Sequence, residues 1–276
     1  GPAMSGTPGP LAYAAGDPNE GGTPEASGAA YTQSTRGLPL PTSTALFDID
    51  SGTDSLVRQN PANAGTLLTV GPLLLDATGV GGFDVSPDGG QAAYAVLTTE
   101  RGQGLYVVNL ATGEPKLLDR FDGPTIIGLA VVGSEAVVPT EAAFGLSADG
   151  LSLVSFSTTD TTVTATQVFA GQEVGTSIVG MDVRPSTGQL FALGSDGQLY
   201  TVDTSAPGVA TVTKANAFGP KVGFGELDLS QGVGFDFNPA ADRIRITVGD
   251  KNYRLQTNGV IDGEGGTLYP GLHDMH

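Results

Sequence analysis

The sequence predicts an all-β chain of repeated four-stranded units, and three observations carry that prediction. Turn residues are abundant: 42 Gly and 18 Pro in 276 residues punctuate the chain. Between them lie short apolar runs of strand length, rich in Val and Thr. No window of 12 or more residues has the 3.6-residue apolar period of an amphipathic helix. Most telling, the chain repeats itself, and a fixed period of this size is the mark of a repeat architecture.

Three segments align directly. They are GFDVSPDGGQAAYAVLTTERGQGLYVVNLATGEPKLL (82–118), GMDVRPSTGQLFALGSDGQLYTVDTSAPGVATVT (180–213) and GFDFNPAADRIRITVGDKNYRLQTNGVID (234–262). Each opens with Gly, a large apolar residue, Asp, an apolar residue, a variable position and Pro. Each goes on to a turn, a strand, a second turn and a strand holding a tyrosine: Tyr106, Tyr200 or Tyr253. The pattern reads as a four-stranded antiparallel meander. One such sheet cannot bury both faces alone, so units of about 45 residues stack around an axis as propeller blades.

Two weaker units complete the set. The first runs from Ala29 through TALFDIDS (44–51), DSLVRQN (54–60) and GTLLTV (65–70). The second runs from Ile126 through AAFGLSAD, LSLVSFS and ATQVFAG. The expectation is a β-propeller of five four-stranded antiparallel blades, or six if the stretch near 133–150 forms a partial sheet of its own. A β-sandwich competes, but it does not require repeated first-strand motifs. By domain, residues 1–8 read as a cloning remnant and flexible tail, since Gly1-Pro2-Ala3-Met4 resembles a protease scar. Residues 9–270 form one propeller domain, and 271–276 a flexible tail.

Charge and composition exclude several functions. Twelve basic against 29 acidic residues give a net charge of −17, which repels the phosphates that nucleic-acid binding depends on. No apolar run reaches the roughly 18 residues of a membrane span. There is no cysteine, which removes disulfides, thiolate catalysis and Cys-ligated metals.

The segments VGFDFNPAADRIRITVGDKNYRLQTNGV (233–260), IVGMDVRPSTGQLFALGSDGQLYTVD (178–203) and LFDIDSGTDSLVRQNPANAGTLLTVGPL (46–73) resemble a bacterial domain-of-unknown-function family. It occurs in exported proteins and is grouped with β-propellers. The resemblance implies the fold and an extracellular or periplasmic location, and it supplies no catalytic residues. The order departs from the family pattern, in which the LFDIDS unit follows the other two. DGEGGTLYP (262–270) looks like the segment that normally precedes GPLAYAAGDPN, which stands here at 9–19. The chain therefore reads as circularly permuted, with Leu11–Ala15 supplying the last strand of the blade begun by 233–260.

No catalytic or cofactor-binding residues are assigned. The two histidines, His273 and His276, stand in the last four residues, where nothing rigid holds a catalytic imidazole. The glycine runs GVGGF (79–83) and GFGEL (223–227) lack the lysine and helix of a phosphate loop. Asp48, Asp50 and Asp54 are the candidate metal ligands, because alternating carboxylates with a Gly at the bend can wrap calcium. The same stretch also fits an ordinary hairpin turn, and calcium is the one cofactor it suggests. Asp262-Gly263-Glu264 is a weaker case. The recurrent Asp84, Asp182 and Asp236 admit two readings. They are a ring of carboxylates lining an axial channel, or caps on the turns beyond the following residues. Their recurrence with the turn favours the structural reading. Arg243, Arg245 and Arg254 are expected to pair with acids on a solvated face.

The resulting expectation is a monomeric, extracellular, non-enzymatic binding or scaffold module with a glycan or extracellular protein as ligand. It binds no nucleic acid and does not insert into a membrane. A carboxylate-based glycoside hydrolase is the alternative, and it would need an open acid pair. An engineered permuted scaffold is a third reading.

Overall fold

The computed structural model describes residues 9–37, 39–87, 91–133, 142–215 and 232–259. All regular structure there is β, apart from a single 3-10 turn at Ala62–Ala64. The tails 1–8 and 271–276, both histidines, GFGEL and the Asp262–Glu264 stretch lie outside the described residues.

After a two-residue strand β1 (Ala12–Tyr13), the strands fall into five successive meanders. The first comprises β2 (Ala26–Tyr31), β3 (Leu46–Asp50), β4 (Ser55–Gln59) and β5 (Thr66–Pro72). The second comprises β6 (Gly79–Val85), β7 (Ala93–Thr99), β8 (Gly102–Val108) and β9 (Pro115–Arg120). The third holds β10 (Ile126–Gly133), β11 (Ala142–Ser147), β12 (Ser152–Ser157) and β13 (Asp160–Ala170). The fourth holds β14 (Ile178–Arg184), β15 (Gln189–Gly194), β16 (Leu199–Asp203) and β17 (Val209–Lys214). Three strands of the fifth are described: β18 (Gly234–Asn238), β19 (Arg243–Val248) and β20 (Lys251–Leu255).

The third and fourth meanders join into one eight-stranded sheet, because the outer strands β13 and β17 pair in parallel from Val168↔Val209 to Ala170↔Thr211. The stretch near 133–150 makes no separate sheet in its described part: β11 pairs with β10 on one side and β12 on the other.

The first strand of each meander turns inward. β2 packs against β6, β6 against β10, β10 against β14, β14 against β18, and β18 against β2. The five inner strands thus close a ring. Apolar side chains fill four of its junctions. Phe47, Ile49 and Leu56 meet Phe83 and Tyr106, and Val96 and Leu105 meet Ile126 and Phe156. Leu146 and Leu153 meet Met181 and Tyr200, and Phe191 meets Phe237 edge-to-face at 5.2 Å between ring centroids. Each buried aromatic or large aliphatic side chain here stabilises by about 1.5–3 kcal/mol.

The fifth junction, between the last and first meanders, is built differently. Arg245 is 1% exposed and donates to Tyr31 Oη (3.2 Å), Asn252 Oδ1 (2.7 Å) and Asn63 Oδ1 (2.9 Å). The expected solvated face for the arginines is thus wrong at Arg245. The register sets Arg245 beside Asp236 on the face that packs against the first meander.

The N-terminal segment seals this junction, though not in the way the sequence suggests. β1 lies parallel to β5, with Ala12↔Thr66 and Tyr13↔Leu67, at the outer edge of the first sheet. It does not extend the sheet of β18–β20. It touches that sheet through Leu11 N–H to Asp250 O (2.7 Å) and Asn252 Nδ2 to Gly9 O (3.0 Å). Leu11 and Tyr13 pack with Val57 and Leu67, so the apolar face of the segment selects the first meander.

Candidate functional site

The repeated Gly–apolar–Asp motif becomes intelligible at the axis. The inner strands converge there, and a side chain at the glycine would collide with the next strand. A Cβ on Gly28 would lie 2.9 Å from Phe83 Cβ, one on Gly82 2.6 Å from Leu129 Cβ, and one on Gly180 2.9 Å from Phe235 Cβ. The glycine of one strand thus makes room for the large apolar residue of the next. Phe83, Leu129, Met181 and Phe235 gather with these glycines around a void of only about 10 Å³, so the channel is plugged at this level.

One residue further along, the aspartates perform a related task. Asp84 Oδ2 accepts the N–H of Val131 (2.6 Å), Asp182 Oδ2 that of Phe237 (2.8 Å), and Asp236 Oδ2 that of Tyr31 (2.8 Å). In each case the acceptor belongs to one inner strand and the donor to the next. The expectation that each Asp caps its own turn is therefore corrected for these oxygens. A strand buried between two neighbours leaves its inward N–H groups without a ladder partner, and the carboxylate of the preceding strand supplies one. Asp182 Oδ1 additionally accepts its neighbour Val183 N–H (2.6 Å). In β2 and β10 the corresponding positions are Ala30 and Ala130.

The three carboxyls meet at the axis, with one oxygen from each within 4.8 Å of the others. Asp84, Asp182 and Asp236 are 4%, 5% and 1% exposed. Desolvation pushes Asp182 up to about 7, and the N–H groups of Phe237 and Val183 oppose that rise. Asp236 is raised well above the ordinary carboxylate range, by burial first and then by the charges of Asp182 and Asp84. Burial thus holds both acids above the ordinary carboxylate range. Such spacing lets three acids share one positive charge, a proton or a small cation.

Asp48, Asp50 and Asp54 are not brought together in this way. Among the described residues, the axial trio is the one group of three acids so closely set. Asp48 is fully buried on β3, neither of its oxygens has a hydrogen-bond partner, and burial raises it to about 8 against the pull of Arg245. Asp50 accepts the N–H of Gly52 (2.9 Å) and of Thr53 (3.2 Å), the geometry of a hairpin turn, and also the hydroxyl of Tyr13 (2.6 Å). Asp54 turns away in a left-handed conformation (φ 48°) and accepts Ala77 N–H (2.8 Å).

At the end of the channel where the inner strands begin lies an open concavity of about 550 Å³. Its wall is mixed: the hydroxyls of Ser27, Ser51, Thr78, Thr98 and Thr125 and the amide of Gln103 stand beside Val80, Ile126 and Ile127, with Glu25 as the charged member. Gln103 is held by both ends of its amide, accepting Ile126 N–H (2.7 Å) and donating to Ile126 O (2.8 Å). Sequence reading did not single out this wall, because its residues are scattered turn hydroxyls with no spacing in common.

A family described as a domain of unknown function, DUF4394, matches residues 2–130 and 152–274. The chain belongs to that family. No curated protein matches it. Similar solved structures are propeller-like proteins. A Bacteroides thetaiotaomicron protein of unknown function is 12% identical over 91% of this chain and 62% of its own, with a TM-score of 0.50. A Xanthomonas campestris gluconolactonase is 14% identical over 77% and 68%, with a TM-score of 0.45. An Agrobacterium tumefaciens regucalcin, a calcium-binding protein, is 13% identical over 83% and 76%, with a TM-score of 0.41. At these identities only the overall fold is comparable. No helix among the described residues is long and apolar enough to cross a membrane.

Proposed function

We propose that this DUF4394 member is a five-bladed propeller, permuted relative to its family, that acts outside the cytoplasm as a monomeric, non-enzymatic binding module. The open concavity of about 550 Å³ above a plugged channel carries the reading. Its threonine and serine hydroxyls, set beside aliphatic side chains, suit a neutral polar ligand such as a glycan, or the backbone of an extracellular protein segment. The hydrolase alternative is weaker. A retaining pair needs carboxyls about 5–5.5 Å apart and an inverting pair about 6.5–9.5 Å, both with room for a sugar ring. Asp84 and Asp182 line a void of about 10 Å³, too small for any substrate, and Asp236 is buried. The open concavity offers Glu25 without a second acid among its lining residues.

Screening the protein on a glycan array and against extracellular-matrix proteins tests the proposal. Binding should be lost when Thr98 and Thr125 are replaced by bulkier Gln, with the melting temperature kept. Release of reducing sugar from any polysaccharide would overturn the non-enzymatic reading. A rise in melting temperature with calcium, abolished by Asp50→Asn, would reinstate the calcium loop at Asp48, Asp50 and Asp54.

A further inference from the structure

We propose that Asp84, Asp182 and Asp236 form a proton-dependent lock on the axial ring: with a shared proton they tie three inner-strand junctions together, and on losing it they repel and loosen that end of the channel.

Three independent features of the geometry carry this. Each acid accepts an N–H from the neighbouring strand, so the trio bonds β6 to β10, β14 to β18 and β18 to β2. Their oxygens lie within 4.8 Å of one another, so charge on one is felt by all, and three full charges at that spacing in a buried site are strongly unfavourable. The third feature is a cover. The segment after β2 crosses this mouth: Gln33 N–H donates to Gln91 Oε1, Arg36 donates to Val132 O, and Gly37 N–H donates to Pro185 O (3.0 Å). It touches three other meanders and leaves a void of about 10 Å³ beside Asp84 and Asp182.

The groups facing the trio are few. Arg36 lines the small void from the covering segment. Arg245 lies beside Asp236 in register; three of its five N–H donors engage neutral partners, and its charge also acts on Asp48. β2 presents Tyr31. β10 presents Ala130 and Val131, which do not titrate. β6, β14 and β18 present the acids themselves. Asp48, also buried near Arg245, is a second group that holds a proton, so the test must separate it.

The sign follows from the raised Asp182 and Asp236. A carboxyl held protonated in the fold contributes stability that is full below its unfolded value near 4 and declines as pH rises to the folded value, about 7 for Asp182. The lock is therefore tight in mild acid and loose in mild alkali.

Amide resonances of Tyr31, Val131 and Phe237, followed by NMR from pH 5 to 9, test the lock. They belong to three different strands, yet they should move together with one midpoint near 7. Their hydrogen exchange should accelerate above that midpoint at least tenfold beyond the intrinsic pH dependence. Asp182→Asn keeps an oxygen acceptor for Phe237 but cannot ionise, so it should shift the midpoint of the other two amides. Asp48→Asn should leave the common midpoint of the three in place. Independent midpoints, or amides insensitive to pH, would sink the lock. So would a calcium-induced shift of these amides at constant ionic strength, since a cation would then be the shared charge. The wild-type titration decides the matter even if a variant fails to fold.

Discussion

Asp48 shows how a residue chosen for one chemistry serves another. The alternation Asp48-Ile49-Asp50 puts both carboxyls on one buried face of β3, with Asp48 near Arg245 of the last meander rather than in a solvated loop. Burial then raises Asp48 to about 8, so the fold holds its proton more tightly than the unfolded chain does. The stability this contributes is full below about pH 4 and is lost progressively as pH climbs to 8. Asp48→Asn removes the titration at nearly constant volume. The variant should gain about 1–3 kcal/mol over the parent at pH 8.5 and little at pH 4.5. Melting curves at the two pH values check this, and equal slopes for parent and variant would refute it. Gly82 gives a steric counterpart. Its φ of 136° and its contact with Leu129 leave no room for a methyl group. Gly82→Ala should cost about 2–4 kcal/mol in denaturant unfolding, from strain and overpacking together.

At the scale of elements, the closing segment makes the sharpest prediction. β1 contributes two ladder residues, yet Leu11 and Tyr13 are buried and Tyr13 Oη donates to Asp50 Oδ2. Tyr13→Phe deletes only that hydroxyl and should cost about 1–2 kcal/mol, since Asp50 keeps its two turn N–H donors. Removing residues 9–14 exposes Val57 and Leu67 as well and should cost about 4–6 kcal/mol. A deletion that melts like the parent would show that the segment is merely laid on the surface. The same elements show what could be read beforehand. The meanders from Gly79 to Arg120 and from Ile178 to Lys214 match the aligned repeats, because period-two alternation and turn residues are local properties. The edge that Leu11–Ala15 joins is not local. An apolar island specifies burial, and only the assembled ring decides between β5 and β20. The partner of each repeated Asp was hidden for the same reason: its N–H donor lies 47 to 205 residues away in sequence.

For the whole molecule, the decisive asymmetry is that one junction of the ring is polar. Four junctions bury clusters of aromatic and aliphatic side chains. The fifth buries Arg245, Tyr31 and Asn252 against a half-buried Asn63, with the unpartnered Asp48 and Thr247 hydroxyl nearby in the same two sheets. Buried polar groups with imperfect partners contribute little net stability, whereas apolar burial contributes steadily with area. The third and fourth meanders, fused through β13 and β17, stand at the other extreme. A closed ring opens first where its joint is weakest, and local opening sets hydrogen exchange well below the global unfolding limit. Exchange followed by mass spectrometry should therefore find the peptides covering 9–14 and 243–255 exchanging at least tenfold faster than those covering 152–170 and 189–214, compared at their hydrogen-bonded strand residues. The difference should shrink in Asp48→Asn, which relieves the polar junction without touching the others. Uniform protection around the ring would mean that the polar junction is as strong as the apolar four, and that the Arg245 network is fully compensated.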